Sequence, residues 1–169
     1  MIKTQSIDVR VYYEDTDAGG VVYYANYLKY CERGRTEFLR QLGFNQEELM
    51  QQNRVFAVRK ASISYNSPAR LDDKLQVITE IEKLKKASIS FKHTILKEQS
   101  IVCQAQVLVA CLNAQKFTPV AIPSSIMSQL THEWIRFNIK PYCRGKSPCS
   151  TRHAHTAVIV SIFMGNDVR

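Results

Sequence analysis

Between Val11 and Arg40 the hydrophobic period of the chain changes once, and that change limits the folds open to it. Ile7, Val9 and Val11 alternate with Asp8 and Arg10, which predicts a strand over Ser6–Tyr13. Glu14–Gly20 reads as a loop, ending in a Gly19-Gly20 pair free to adopt backbone angles that other residues avoid. From about Val21 to Leu42 the period becomes helical, with Tyr27, Cys31, Phe38 and Leu42 on one face and Gly34 among them. A glycine in mid-helix costs roughly 1 kcal/mol relative to alanine, so Gly34 implies a sheet passing close to the helix. Gly43 is a natural stop, and Asn45–Gln52 predicts a short second helix with Asn45 as its cap and Glu48 three residues on.

Beyond it the chain turns to β-structure. Arg54–Asn66, Lys74–Lys85, Ala87–Glu98 and Ile101–Asn113 are long runs of two-residue period. In the third, Ala87, Ile89, Phe91 and Ile95 share one side with His93, and Ser88, Ser90, Lys92 and Thr94 the other. Short links at Lys85-Lys86 and Gln99-Ser100 predict antiparallel hairpins, and Pro123 opens a short helix to about Leu130. Strand, long helix, then four strands predict an α+β fold, with a five-stranded antiparallel sheet curled around a central helix. One helix cannot cover both faces of such a sheet, so a second copy is expected. Residues 1–130 form the expected domain, and 131–169 an appended extension of poor periodicity.

A length of 169 residues fits one domain with a real core, and 45% hydrophobic with 22% charged residues is ordinary for a globular chain. The net charge of +8 divides into +4 over residues 1–130 and +4 over the much shorter 131–169. The main body thus carries neither a clustered basic face nor a nucleic-acid motif. The N-terminus lacks the apolar core of a signal peptide, the longest apolar run near the end, Ala157–Met164 with one serine inside, is too short to span a bilayer, and the five scattered cysteines favour reduced thiols over a disulfide framework. A cytoplasmic location is the expectation.

Asp17 is where chemistry concentrates. It is a carboxylate in a turn ahead of a helix start, where unpaired amides can donate to a carbonyl oxygen and favour developing negative charge. The carboxylate attacks that carbonyl or deprotonates a water that does, so base or nucleophile and oxyanion donor stand together. A thioester suits such a site because a thiolate leaves without a strong general acid. From the pattern alone the more ordinary reading is that Glu14, Asp15 and Asp17 are turn acids favoured by capping and the helix dipole.

The residues Tyr13-Glu14-Asp15-Thr16-Asp17, Gly20-Val21-Val22-Tyr23, Asn26-Tyr27, and Glu32-Arg33 with Arg35 resemble the hot-dog acyl-CoA thioesterases of the 4-hydroxybenzoyl-CoA thioesterase superfamily. Tyr65 with Pro68-Ala69-Arg70-Leu71-Asp72-Asp73 extends the resemblance, which covers about residues 5–130 and is nearest to the YbgC-type enzymes associated with the Tol-Pal system. The resemblance implies a helix wrapped by an antiparallel sheet, a homodimer or dimer of dimers, and hydrolysis of an acyl-CoA without a metal or other cofactor. It implies Asp17 as nucleophile or general base, Tyr13 as an active-site tyrosine, and Gly20 and Val21 beside the substrate. Tyr24 stands where most of the YbgC branch has histidine and the hydroxybenzoyl branch has tyrosine, whose backbone N–H polarises the carbonyl. A tyrosine titrates near about 10 rather than about 6.5, so any role needing an imidazole there is lost. Coenzyme A phosphates call for a basic rim, for which Arg59, Lys60 and Arg70 are candidates, with Lys85 and Lys86 as further ones.

Two other readings stay open. The fold without catalysis would be a binding module for acyl groups or acyl carrier protein in phospholipid metabolism, which Tyr24 in place of histidine favours. In the extension, Cys143, Cys149, His153 and His155 have spacings that fit a zinc site poorly.

Overall fold

The computed structural model describes residues 4–138 and 157–160. Strand β1 (Gln5–Arg10) leads through a 3-10 turn at Tyr13–Asp15 and a loop to helix α1 (Asn26–Gln41) and the short α2 (Gln46–Gln51). The strands β2 (Arg54–Tyr65), β3 (Lys74–Lys85), β4 (Ser88–Lys97) and β5 (Ser100–Asn113) follow, then α3 (Ser124–Asn138) and β6 (Ala157–Val160). The sheet order is β1-β3-β4-β5-β2-β6, every neighbouring pair antiparallel. The first five positions are the expected five-stranded sheet around a helix. The sixth strand comes from the extension and pairs with Ala61–Ser64 on the outer edge of β2. Cys143, Cys149, His153 and His155 lie outside the described residues. Helix α3 runs through position 130, the expected domain boundary. Among the described residues no helix is long and apolar enough to cross a membrane.

Alternation places the core. On β3 and β4, Leu75, Val77, Ile81, Ile89, Phe91 and Ile95 face α1 and are buried. Gln76, Glu80, Lys92 and Thr94 point the other way. That outward face is largely polar, so burial of this face does not by itself demand a second copy. The inward residues form two clusters strung along α1. Tyr27, Tyr30 and Cys31 sit in the cluster near its start, Phe38 in the one near its end, and Leu28 touches both. Burying side chains of this size contributes roughly 1.5–3 kcal/mol each.

Gly34 lies where helix and sheet come closest. A Cβ there would stand 2.5 Å from Thr79 Oγ1 and 3.3 Å from Val77 Cγ1, so the close approach implied by the sequence is present. Gly43 ends α1 at φ +80°, with Gly43 N donating to the Arg40 carbonyl and Phe44 N to that of Leu39, a pairing that closes off the last turn. Asn45 caps α2 by accepting from Glu47 N at 2.9 Å.

Candidate active site

The helix expected from Val21 begins at Asn26 instead. Val21 and Val22 belong to a small hairpin, bridged to Arg70 and Thr16 respectively. Their β-branched side chains suit an extended backbone, and the turn is closed ahead of them. Asp17 N donates to the Val21 carbonyl and Gly20 N to the Asp17 carbonyl, each at 2.9 Å, with Gly20 at φ +71°. Val22 N donates to the Ala69 carbonyl at 2.8 Å, tying the hairpin to the loop after β2.

Under this hairpin is a polar hub that the sequence reading did not single out. Asp15 is buried, and its Oδ2 accepts from Tyr12 N at 2.9 Å. Its carbonyl accepts from Tyr23 N at 2.8 Å and from the buried Asn26 Nδ2 at 2.9 Å. The Tyr30 hydroxyl has no hydrogen-bond partner among the described residues, and burial, then the Asp15 carboxylate, push its ionisation well up. Only the position of Asn26, an amide at the start of the helical period, hinted at this role.

The hub fixes the chain on either side of Tyr24. Tyr23 N is committed to Asp15, Asn26 N donates to the Tyr23 carbonyl, and the Tyr65 hydroxyl donates to the Tyr24 carbonyl at 3.1 Å. The N–H groups of Tyr24 and Ala25 have no acceptor among the described residues. They are the free donors ahead of α1, standing where orphan amides are expected. The Tyr24 ring is exposed and tilted against Tyr23 at 4.4 Å between centroids. Burial raises the Tyr65 hydroxyl to about 12, so it donates as a neutral phenol.

Asp17 is exposed. Its Oδ1 accepts from Gly19 N at 2.8 Å, which orients the carboxylate and leaves Oδ2 without a partner among the described residues. Tyr13, 82% exposed, projects from the turn just before it. The loop therefore gathers Tyr13, Asp17, Gly20, Val21 and Tyr24, and the Val21 bridge adds Arg70. Arg59 and Lys60 are not brought there within one protomer. Arg59 is the bulged residue of β2 and Lys60 follows it, six and five residues before Tyr65, roughly 16–20 Å along the strand at ~3.3 Å per residue. Lys85 and Lys86 lie at the other end of β3 from Asp73 and Arg70.

His93 is fully buried with both ring nitrogens engaged, by Arg35 Nη1 at 3.3 Å and Thr79 Oγ1 at 3.1 Å, as expected of a core histidine. Burial first, and the Arg35 charge second, lower its pKa to about 3.

The profile of the thioesterase-like superfamily matches residues 11–130. The acyl-CoA thioester hydrolase YbgC of Escherichia coli O157:H7 is 48% identical over 122 residues, which is 72% of this chain and 91% of that protein. The acyl-CoA thioesterase YbgC of Haemophilus influenzae is 44% identical over 128 residues, 75% of this chain and 94% of its own. Among solved structures, a probable thioesterase from Bartonella henselae superposes with a TM-score of 0.69 at 37% identity, over 71% of this chain and 99% of its own.

Proposed function

The chain belongs to the thioesterase-like superfamily, and from that membership we propose that it hydrolyses acyl-CoA thioesters to a free acid and coenzyme A. The observation that carries this reading is the 48% identity to an acyl-CoA thioester hydrolase over 122 residues, beside a family match over residues 11–130 that includes the Asp17–Tyr24 loop.

In this reading the thioester oxygen accepts from the Tyr24 N–H, and the carbonyl carbon lies within reach of Asp17 Oδ2. As general base, Asp17 takes a proton from water while the hydroxide adds to the carbon; as nucleophile it forms a mixed anhydride that water then opens. Both routes expel the coenzyme A thiolate, which takes up a proton from solvent. Negative charge developing on oxygen is met by a donor already in place, so little reorganisation is needed. The hub of Asp15 and Asn26 positions that donor by fixing the peptides around it. Tyr13 borders the leaving group. Arg70 offers its charge to the coenzyme A phosphates from the same protomer, and Arg59 and Lys60 offer theirs from a second one, in a dimer or dimer of dimers. Residues 1–130 are the catalytic unit, at work in the cytoplasm beside the Tol-Pal system and lipid metabolism, with 131–169 as an extension.

The test is thiol release over a series of acyl-CoA chain lengths. Asp17→Asn is expected to lose about 10³-fold in kcat/KM, or roughly 4 kcal/mol of transition-state stabilisation, with melting temperature unchanged. After a single turnover in ¹⁸O-water, label in the Asp17 carboxylate would identify the nucleophilic route with water opening the anhydride at the Asp17 carbonyl; borohydride reduction of Asp17 during turnover reports the anhydride whichever carbonyl water attacks. A chain that turns over no acyl-CoA yet retains acyl carrier protein on a column would be the binding module instead.

A further inference from the structure

Tyr65 closes β2 and reaches a loop 41 residues away in sequence. Its ring rests against Tyr27, with centroids 5.7 Å apart, and its hydroxyl donates to the Tyr24 carbonyl at 3.1 Å. Phenylalanine would make the ring contact equally well, so the hydroxyl calls for a reason of its own. Satisfying the carbonyl is not that reason, because the bond lies at an exposed position where solvent serves a peptide oxygen nearly as well.

What the hydroxyl does is hold a peptide that nothing else holds. In a trans peptide the N–H and C=O point opposite ways in one plane, so a bond to the oxygen fixes the direction of the hydrogen. The peptide joining Tyr23 and Tyr24 is held by the turn itself, since Asn26 N donates to the Tyr23 carbonyl at 2.9 Å. That bond aims the Tyr24 N–H. The peptide joining Tyr24 and Ala25 has no such help. Leu28 N goes to the Ala25 carbonyl at 3.1 Å rather than to that of Tyr24, and the Ala25 N–H has no acceptor among the described residues. Without Tyr65 both ends of this peptide would be loose. The turn over Tyr24 and Ala25 is hydrogen-bonded, and Ala25 has φ −74° and ψ −20°, which makes it type I with both central residues near helical angles. The two free N–H groups therefore follow one another as in a first helical turn and leave α1 by the same end.

We propose that the thioester oxygen is held by two amides, those of Tyr24 and Ala25, and that Tyr65 is the positioning residue for the second. The inference deepens the hydrolase reading of this site and rests on it. A carbonyl oxygen has lone pairs for two donors, and preorganised donors gain most as charge develops on it. Tyr65 is paired with Cys103 of β5, so the aim of the second donor is set by the sheet rather than by the loop. Burial raises the phenol to about 12, and it stays a donor through the neutral range.

Thiol release by Tyr65→Phe, over the same series of acyl-CoA chain lengths, tests the inference. A fall in kcat of about tenfold is expected. Outright removal of an oxyanion donor costs about 10²–10³-fold, but here Ala25 keeps its N–H and loses only its aim. KM should stay within about twofold, because the gain is realised in the transition state. Tyr27→Phe is the control. It removes a neighbouring phenol that accepts from Ala69 N at 3.3 Å, and should lower the melting temperature with kcat unchanged. A second readout needs no turnover. In ¹⁵N-labelled Asp17→Asn saturated with the best substrate of the series, the Tyr24 and Ala25 amide protons should both move downfield. Adding Tyr65→Phe should diminish the Ala25 shift and spare that of Tyr24. A parent inactive across the whole series removes the hydrolase reading, and this inference with it. An active parent whose kcat is unchanged in Tyr65→Phe, an equal loss of kcat in Tyr27→Phe, a change in KM alone, or a downfield shift at Tyr24 only would each overturn the inference and leave the hydrolase reading standing.

Discussion

The start and the middle of α1 handle their reactive groups in opposite ways. Ahead of its first turn, Tyr13, Asp17 and Tyr24 are exposed, and the orienting contacts around Asp17 and Tyr24 come mainly from backbone amides and carbonyls. Near Gly34, the ionisable groups Arg35 and His93 hold each other through side chains, against a sheet that passes within a methyl group of the helix. The comparison teaches that titratable residue type is a poor guide to chemistry. Histidine is the side chain most readily assigned a catalytic role, yet here it is held neutral inside the core. The exposed turn acid, ordinary by composition, has a free oxygen and unpaired amides along the same loop.

Acid should break this comparison most strongly. His93 has a folded-state pKa of about 3 against an ordinary value of 6.5, so the unfolded chain binds a proton that the folded chain refuses. The stability associated with a neutral His93 is present above about pH 6.5 and is lost as pH falls toward about 3, by an amount on the order of a few kcal/mol. Urea denaturation at a series of pH values should show that decline. His93→Gln keeps a donor for Thr79 and an acceptor for Arg35; it should start less stable at pH 8 yet fall less steeply on acidification. An equal slope in both proteins would place the acid lability elsewhere.

Gly34→Ala comes next. Alanine improves helix propensity by roughly 1 kcal/mol, but its Cβ would sit 2.5 Å from Thr79 Oγ1. That oxygen is buried and engaged by His93, so it cannot swing aside. A net destabilisation of about 1–3 kcal/mol is expected from such overpacking, read as a lower urea midpoint at unchanged slope. Thioester turnover at a temperature where the variant is folded should be close to that of the parent, since Gly34 stands eight residues past the start of α1, about 12 Å along the axis from the Asp17 loop's end of the helix.

Much of this architecture was legible in advance, for identifiable reasons. Each of the four strands after α2 has a strict two-residue alternation, and the structure keeps their bounds within a residue or so. Gly34 foretold close packing because nothing else justifies a glycine in mid-helix. The start of α1 was misplaced because Val21, Val22 and Tyr23 satisfy a helical hydrophobic period as well as a hairpin. The choice is made by bonds to Asp15 and Ala69, the second of them distant in sequence. The hub of Asp15, Asn26 and Tyr30 escaped for the same reason. A buried carboxylate looks like any turn acid until its partners are known. The sixth strand was hidden in a segment whose short apolar run gave no sign of which edge it would join.

Tyr24→His should have a smaller effect and sharpens the view of the active-site end. The N–H at position 24 belongs to the backbone and survives the exchange, and the ring is exposed, so folding should be untouched. If the amide alone does the polarising, kcat/KM should stay within about tenfold of the parent, a change below roughly 1.4 kcal/mol. An imidazole titrating near about 6.5 would add a limb to the pH–rate profile that the tyrosine enzyme lacks. A profile and rate matching the parent would show that the side chain takes no part.

The smallest effect is expected at Gly19, the counterpart of Gly34 in the loop ahead of the helix. Its backbone is not in the left-handed region, so alanine is sterically permitted there. The added Cβ would lie 3.1 Å from Asp17 Oδ1, the oxygen that Gly19 N–H holds at 2.8 Å. The carboxylate must then give way by a few tenths of an ångström while its hydrogen bond persists. Exposed sites of this kind change stability by no more than about 0.5 kcal/mol. Displacement of a reacting oxygen acts on rate instead, because small misplacements at the reacting centre are amplified in the barrier. Gly19→Ala should therefore lower kcat about threefold, equivalent to about 0.6 kcal/mol, at constant melting temperature. Thiol-release kinetics beside a thermal melt decide the matter. One methyl group ahead of α1 and one at its middle would then separate a catalytic phenotype from a stability one, whereas a melting shift without a rate change at Gly19 would mean that this loop, too, is held for structure.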